Sequence, residues 1–353
     1  MLEESQDDPD IEHSVFLLRP GPLQDNFTSL IPTITSSKSR MMDVRFIRQF
    51  VRTLLDSRPD VVHAWGPTPN LWAPLLSRIA QLSPSSLKRR YRPRVIIAEV
   101  GLDEWKNAAF KLADRLCYLF SDAVVGNARA VTETAIARGA RRRQTDTVLM
   151  GVSVPGMDEI DERSPVSGRV LMLGRWDWRK GHEALLDLWP DVRRRVPHAT
   201  LVIAGAAHSD GEKALKARCE DIVRGYQKDP VVAGSITLLD HTDPARALDS
   251  AEVLAVSSNS EGMPNVILEA FSRMTPVVAF SVGGVAEALG DGERGWLVPA
   301  GERDAFVSAL VQALSRPEEA GRRAGAARRW VESLTFKTSM NRWVEIYHRV
   351  TGR

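Results

Sequence analysis

Two glutamates stand eight residues apart in the segment Ser257 to Phe271, SSNSEGMPNVILEAF. The segment follows a buried-strand pattern and runs into a helical one, so Glu261 would lie in the loop and Glu269 about one turn inside the helix. Both carboxylates could then accept hydrogen bonds from the hydroxyl groups of a sugar. The alternatives are a capping role for Glu261 and a solvated surface role for Glu269.

The start of this helix favours close approach of a ligand to the backbone. Gly262 has no Cβ, and Pro264 suits a first helical turn, where a missing N–H is tolerated. A helix N-terminus also offers unpaired amides and a partial positive charge, which suit an anion or a polyol. The sequence therefore predicts a backbone-lined pocket. Gly262 and Pro264 both fit such a pocket.

Two cations follow an earlier strand pattern, Arg169 to Leu173, in the loop GRWDWRKG. Arg175 and Lys180 would lie at the same edge of a parallel sheet as Glu261, because the carboxyl ends of parallel strands face one crevice. A guanidinium fork and an ammonium point charge can together neutralise a diphosphate. The alternative is a solvated charged loop without a ligand.

The elements that must position these side chains are strands and helices in alternation, which predicts βαβ units and parallel sheets. The pattern occurs twice, on either side of a stretch rich in Pro, Gly and charged residues at 154–168. We expect one domain over residues 1–155, a second over 156–334, and an amphipathic helix over 335–353 that packs back across the domains. The predicted strands are 14–18, 61–64, 95–98, 123–125 and 147–149, then 169–173, 200–204, 236–239, 253–256, 277–280 and 296–298. The helices predicted in the first half are 44–56 and 105–120.

The composition is that of an ordinary globular protein and argues against several partners. In 353 residues, 47 Lys and Arg face 45 Asp and Glu, a net charge of +2 that does not favour nucleic acid. The two cysteines, Cys117 and Cys219, predict neither a disulfide framework nor a cysteine metal site. No apolar run approaches the ~20 residues of a membrane span, and the acidic start lacks the order of a secretory signal. We therefore expect a cytoplasmic protein.

Six motifs of the second half, in their order and spacing, resemble the retaining glycosyltransferases of family 4, which have the GT-B fold. The motifs are GR-x4-KG at 174–181, IAG at 203–205, EG-x-PN-x3-EA at 261–270, PVVA at 276–279, GG-x2-E at 283–287 and G-x-LVP at 295–299. The first half is similar more loosely, at 60–66, 123–127 and 151–152. The resemblance implies two Rossmann-like domains that face each other across a cleft.

The resemblance also implies transfer of a sugar from a UDP- or GDP-linked donor to a glycan, lipid or small-molecule acceptor, with the anomeric configuration kept. The positions that match Arg175 and Lys180 contact the diphosphate, the match of Glu269 binds the ribose, and the match of Glu261 faces the donor sugar. The donor sugar's hydroxyls also meet backbone amides of the matching turn, which in this chain is formed by Gly262, Met263, Pro264 and Asn265. Gly174 and Gly205 belong to the same donor site. The implied route is front-face substitution, with a covalent Glu261 intermediate as the alternative, and neither a metal nor another cofactor is required.

The chain departs from the family pattern in the first half. Its first strand resembles the second strand of the family, so we expect the N-terminal domain to lack the first β-α unit and its glycine-rich loop. The segment AEVGLD at 98–103 has no histidine where many relatives carry one. Candidate acceptor-side residues are therefore Glu99, Asp103 and His63, each with a capping or structural role as the alternative.

The helix predicted at 105–120 combines aromatic and aliphatic residues with cations. Such a helix suits peripheral contact with the anionic inner face of a membrane that carries a lipid acceptor. The alternative is an ordinary domain helix with one buried stripe. The residues are Trp105, Phe110, Leu116 and Phe120 with Lys106, Lys111 and Arg115.

Other functions remain as alternatives to the transferase. A non-catalytic sugar-nucleotide binder or partner subunit is compatible with the expected loss of the first unit. A sugar-nucleotide 2-epimerase would share the architecture, although the loops at 174–181 and 261–270 resemble those of the transferases. A dinucleotide oxidoreductase is disfavoured, because no G-x-G-x-x-G follows a predicted strand.

Overall fold

The computed structural model describes residues 10–21, 24–36, 43–89 and 91–352. The chain forms two compact units, one of residues 1–151 with 336–353 and one of residues 152–335. The stretch predicted as a linker, 154–168, belongs to the second unit, where it holds a short helix with Ile160 buried. Most of the acidic N-terminal stretch, residues 1–9, lies outside the described residues.

In the first unit the described strands form two parallel sheets. Strands β1 and β2 form a pair, and the other four are ordered β3-β4-β5-β6. The strands are β1 Val15–Leu17, β2 Thr33–Thr35, β3 Val61–Trp65, β4 Arg94–Glu99, β5 Ala123–Gly126 and β6 Thr145–Thr147. The helices are α1 Gln24–Leu30, α2 Val44–Ser57, α3 Pro67–Gln81, α4 Pro84–Arg89, α5 Ala108–Phe120, α6 Arg129–Ala137 and, from the chain end, α15 Phe336–Thr351.

Local chemistry explains where these helices begin. The side chain of Asp43 accepts hydrogen bonds from the backbone N–H groups of Arg45 and Phe46 and so caps α2. Asn107 caps α5 in the same way through Phe110 N, and for this reason the helix predicted from Trp105 starts at Ala108. The last predicted strand, 147–149, lies two residues too late. Strand β2 and helix α3 were not predicted.

Helix α15 packs on the sheet of the first unit. Its Met340, Trp343 and Ile346 form one buried cluster with Ile96 and Val125. Because the core of the first unit includes these side chains, the helix belongs to that unit, together with residues 1–151, although it was predicted to pack across the domains. Burial of this apolar stripe holds the chain end in place.

The second unit contains one six-stranded parallel sheet, ordered β12-β11-β10-β7-β8-β9. All six strands predicted for it are confirmed, with ends within one residue. They are β7 Arg169–Leu173, β8 Thr200–Ala204, β9 Ile236–Leu239, β10 Val253–Val256, β11 Val277–Ser281 and β12 Trp296–Pro299. The helices are α7 Met157–Asp161, α8 His182–Arg195, α9 Asp210–Tyr226, α10 Pro244–Ser250, α11 Asn265–Ser272, α12 Val285–Leu289, α13 Arg303–Ser315 and α14 Pro317–Val331. The strand order reverses between β7 and β10, and in such sheets ligands bind beside the strand ends at this point.

Within the described ranges, none of the helices combines the length and the apolar character needed to cross a membrane.

Candidate functional site

The loops that follow β7 and β10 meet at the point where the strand order reverses. The ammonium group of Lys180 donates a hydrogen bond to Glu261 Oε1 at 2.7 Å, and the Ser258 hydroxyl donates to the same oxygen at 2.7 Å. Both side chains of the ion pair are largely buried, with 27% and 11% of their surfaces exposed. The structure thus brings together the cation and the carboxylate that the sequence placed in separate loops.

Backbone contacts tie these two loops to each other. The Ser257 hydroxyl lies 3.1 Å from the carbonyl oxygens of Lys180 and Gly181, and Asn259 N donates to Arg179 O at 2.7 Å. Gly181 has φ +74°, and a Cβ there would lie 2.0 Å from Ser257 O. Only glycine therefore allows the loops to approach this closely, and their contact sets the positions of Lys180 and Glu261.

Asp177 shapes the turn that carries Lys180. Its carboxylate accepts hydrogen bonds from the backbone N–H and the guanidinium group of Arg179, at the start of a short 3₁₀ turn over Trp178–Lys180. These hydrogen bonds from Arg179 hold the pKa of Asp177 down at about 2. The carboxylate is therefore charged at neutral pH and keeps the turn closed.

A stacked pair of rings supports the same loop from inside the unit. His182, the first residue of α8, stacks on Trp176 with 4.5 Å between ring centroids, and both side chains are buried. Burial lowers the pKa of His182 to about 4, so the ring is neutral at pH 7. The Trp176 indole N–H donates to Gly205 O at 2.7 Å, which links this pair to the end of β8.

Glu269 and Arg175 line a cavity of about 240 Å³ beside the ion pair's loops. Burial raises the pKa of Glu269. Arg175 is more exposed, and its guanidinium lies 3.4 Å from Glu212, the glutamate of the capping box that starts α9. The other lining residues are Leu173, Gly174, Ala204, Gly205, His241, Thr242, Pro244 and Val266.

Gly205 lets β7 and β8 end close together at this cavity. A Cβ on Gly205 would lie 1.8 Å from Gly174 O, so no larger residue fits without movement of the backbone. Both glycines predicted for the donor site therefore lie where two strand ends meet, and the floor of the cavity is backbone.

The predicted backbone pocket lies at the start of α11. Gly262, Met263 and Pro264 are buried, while Asn265, the first residue of the helix, is exposed. Gly284 N donates to Gly262 O at 2.8 Å, which joins the loop after β11 to this turn. Three strand ends thus contribute to one edge of the sheet.

The candidate acceptor-side carboxylates lie inside the first unit. Glu99 is buried at the end of β4, where it accepts a hydrogen bond from the Tyr118 hydroxyl at 3.0 Å, and burial raises the pKa of Glu99. Asp103 is buried as well and forms an ion pair of 2.9 Å with Lys106, which also contacts Asp114 at 2.9 Å. Contact of Glu99 or Asp103 with an acceptor stays a prediction.

His63 also has structural partners. Its Nδ1 lies 2.8 Å from the Tyr347 hydroxyl oxygen, and its ring packs on Trp343 with 4.3 Å between centroids. Burial lowers the pKa of His63 to about 3. The neutral ring therefore helps to hold α15 on the sheet, and its role toward an acceptor likewise stays a prediction.

Sequence reasoning missed Ser257 and Asn259, which join the two loops, and Ser258, which donates to Glu261 within the second loop. The signal was present, because a polar run directly after a buried strand must find hydrogen-bond partners at the sheet edge. It also missed His241 and Thr242 in the cavity wall. Among the described residues, no group of three or more His, Cys, Asp or Glu side chains is arranged to hold a metal ion.

Comparison with known proteins assigns the family. Residues 167–316 match the family described as Glycosyl transferases group 1, and residues 6–151 match the Glycosyl transferase 4-like domain. The chain belongs to family 4 of the glycosyltransferases. The family resemblance predicted from the motifs at 174–181 and 261–270 is thereby confirmed.

This chain covers different fractions of the known proteins to which it is similar. Glycogen synthase of Mycobacterium tuberculosis is 31% identical over 191 residues, which are 52% of this chain and 44% of that protein. Phosphatidyl-myo-inositol mannosyltransferase of Mycobacterium leprae is 27% identical over 311 residues, 85% of this chain and 76% of that protein. The chain thus spans less than half the length of the first relative.

A solved structure supports the fold over nearly the whole chain. The Anabaena protein HepE, crystallised with UDP and glucose, superposes with a TM-score of 0.80 at 16% identity and covers 98% of this chain and 93% of its own. The fold is α/β and GT-B, with two Rossmann-like domains built on parallel sheets.

Proposed function

We propose that this chain transfers a sugar from a nucleoside diphosphate donor to an acceptor, with the anomeric configuration kept. The observation that carries the proposal is the Lys180–Glu261 ion pair of 2.7 Å, which lies where the strand order reverses. It lies in two loops that carry the family's motifs, and Glu269 and Arg175 line a cavity at the same sheet edge.

Lys180 and Arg175 bind the diphosphate in this proposal. As the bond between the sugar C1 and the phosphate oxygen breaks, negative charge develops on the leaving diphosphate. Preorganised cations stabilise that charge more in the transition state than in the ground state, and so raise the rate. Lys180 is preorganised because Glu261 already holds its ammonium group.

Glu261 and the start of α11 bind the donor sugar, and Glu269 accepts hydrogen bonds from the ribose. The acceptor oxygen forms its bond to C1 on the face that the diphosphate leaves, and the acceptor proton passes to the donor phosphate. Ser258 and Lys180 both occupy Glu261 Oε1, which supports an orienting role over a covalent one. The reaction needs no resident metal ion in this proposal, as the family resemblance implies.

The donor is UDP- or GDP-linked. The crystal structure of HepE, which contains UDP and glucose, supports UDP as the first nucleotide to test. The first domain binds the acceptor, a glycan or a lipid-linked molecule, and a peripheral contact with the membrane would bring a lipid acceptor within reach. The similarity to a mycobacterial phosphatidyl-myo-inositol mannosyltransferase supports the lipid class.

A second candidate is a sugar-nucleotide binder without turnover. One observation favours it: Gly21 is the single glycine before Gly66, so this part of the sequence holds no glycine-rich loop. We infer that the first domain lacks the first β-α unit of the family. A chain without that loop could keep the nucleotide site of the second domain and lose the reaction.

The first experiment is a thermal-shift screen against UDP, GDP, ADP and their sugar conjugates, because a ligand that binds the native state raises its melting temperature. A shift with one nucleotide supports the donor site. Release of nucleoside diphosphate from the matching sugar conjugate then separates a transferase or hydrolase from a binder. The absence of any shift would contradict the donor site itself.

A further inference from the structure

Helix α5 presents its apolar side outward. Leu112, Leu116, Leu119 and Phe120 follow one another at intervals of four, three and one residues, so they lie on one face of the helix. Their side chains are 60%, 46%, 47% and 40% exposed. We call this set the α5 surface. A domain helix normally buries such a stripe and exposes its polar side.

The buried side of α5 explains why the helix is oriented with its apolar face outward. Asp114 is buried there and forms a 2.9 Å ion pair with Lys106, while Cys117 and Tyr118 are buried against the core. The Tyr118 hydroxyl also donates to Glu99. A buried carboxylate with a matched cation fixes the rotation of the helix, since any turn about its axis would expose or unpair these charges.

The end of α3 adjoins the α5 surface and extends it. The Arg78 guanidinium of α3 donates to Phe120 O at 2.7 Å, which places the last turns of the two helices side by side. Ile79, which directly follows Arg78, and Leu82, which follows the last residue of α3, are 52% and 73% exposed. Exposed apolar side chains on two helices held together in this way indicate a surface that binds a membrane or another protein.

The charges next to the α5 surface indicate which kind of partner it binds. Lys111 and Arg115 are exposed one residue before Leu112 and Leu116, and the acidic residue of α5, Asp114, faces the core. Lys106, predicted from the sequence as a third cation of this face, is instead buried, so that part of the prediction was wrong. The exposed charges of α5 are therefore both positive.

We propose that the α5 surface, together with Ile79 and Leu82, docks the first unit on an anionic lipid surface. The leucines and Phe120 enter the acyl boundary, and Lys111 and Arg115 contact the anionic headgroups. A second copy of this chain is the less suitable partner, because a two-fold contact through α5 would bring Lys111 and Arg115 of both copies together. Docking does not depend on sugar transfer.

Vesicle flotation of the full chain tests the proposal, without any donor present. We expect at least about ten-fold more protein bound to vesicles of equal parts phosphatidylglycerol and phosphatidylcholine than to phosphatidylcholine alone, and weaker binding at high salt. The variant Leu112→Ser/Leu116→Ser/Leu119→Ser and the variant Lys111→Glu/Arg115→Glu should both lose this binding. Matched controls are Met157→Ser/Val166→Ser and Arg142→Glu/Arg143→Glu, which change exposed residues elsewhere and should float like the wild type.

Melting temperatures near the wild-type value would show that the variants fold, as expected for exposed positions. Equal flotation of wild type and both α5 variants, or no flotation of the wild type, would overturn the proposal. Light scattering that shows a dimer lost in the leucine variant would overturn it too, in favour of a second copy. Because a UDP-induced thermal shift is measured separately, failure of docking and failure of the donor site are distinguishable.

Discussion

The ammonium group of Lys180 lies 2.7 Å from Glu261 Oε1, although 81 residues separate them in the chain. The two loops meet because β7 and β10 are neighbours in the sheet and because Ser257 and Asn259 join the loops directly. A carboxylate in contact with the cation that would bind a diphosphate holds that cation in place before the ligand arrives. Charge that is already in place needs no reorganisation during the reaction.

Replacement of this cation should affect the rate more than substrate binding. For Lys180→Ala we expect turnover to fall about 100-fold or more, since one preorganised charge is lost from the transition state. The steady-state rate of nucleoside diphosphate release measures this turnover. Lys228→Ala, which removes an exposed lysine of the same unit, should keep the wild-type rate. Equal rates for wild type and Lys180→Ala would rule out this role.

Replacement of Glu269 should weaken nucleotide binding without lowering the stability of the fold. Burial already raises the pKa of this carboxyl, so its neutral isostere carries no desolvation cost and Glu269→Gln should melt at or above the wild-type temperature. We expect nucleotide binding to weaken about 10-fold, because a charged acceptor for the ribose hydroxyls is lost. Calorimetric titration with the nucleotide measures this affinity. The control is Glu293→Gln, which changes an exposed glutamate of the same unit. An unchanged affinity would remove Glu269 from the ribose site.

Gly205 should tolerate no side chain. The methyl group of Gly205→Ala would lie 1.8 Å from Gly174 O, so the strand ends must separate, at a cost of about 1–3 kcal/mol. We expect a lower melting temperature and weaker nucleotide binding. Gly225→Ala is the matched control, since nothing lies within 4 Å of its added methyl group on α9 and alanine favours a helix. If both variants behaved alike, the close approach of β7 and β8 would be unimportant.

His182 should make stability depend on pH. Its pKa is about 4 in the folded chain against an ordinary value of 6.5, so the unfolded chain binds the proton more readily. Stability is therefore full above pH 6.5 and decreases as the pH falls toward 4, by up to about 3 kcal/mol from this residue. Urea midpoints at pH 7 and pH 4.5 measure the loss.

The variant His182→Phe isolates that contribution. Phenylalanine can keep the stacking on Trp176 and has no proton to gain, so its urea midpoint should fall less between the two pH values. The decrease that remains would come from other groups, including His63, whose pKa is also lowered. A variant with the full wild-type pH dependence would show that His182 does not contribute.

Removal of metal ions should leave the reaction intact. The family resemblance implies that cations of the chain, Arg175 and Lys180, neutralise the leaving diphosphate. We expect turnover within about two-fold of the untreated rate after EDTA treatment and gel filtration. A rate that collapses and returns with added Mg²⁺ would assign part of that neutralisation to a metal.

The second unit was predictable to a large extent, and the first unit less so. In the first unit, strands β3, β4 and β5 and helix α2 were predicted with ends within one residue, whereas strand β2 and helix α3 were not predicted. Strands β7 to β12 are short apolar runs, largely buried except in the edge strand β9, and their pattern is visible in the chain itself. Strand β2 is a three-residue strand over Thr33–Thr35, too short for any periodicity to indicate. Helix α3 carries Pro74 inside it, and a proline in the chain argues against a helix.

The sequence by itself determined the loops that carry Arg175, Lys180, Glu261 and Glu269, because buried strands and the residues that end them are local features. Only the tertiary structure decided which side chains meet, as in the Lys180–Glu261 pair and the burial of Lys106 with Asp114. Those contacts depend on strand order and on the rotation of α5, which many distant residues set together. A local sequence pattern indicates which secondary structure a segment forms, but it does not indicate which distant segments pack against it.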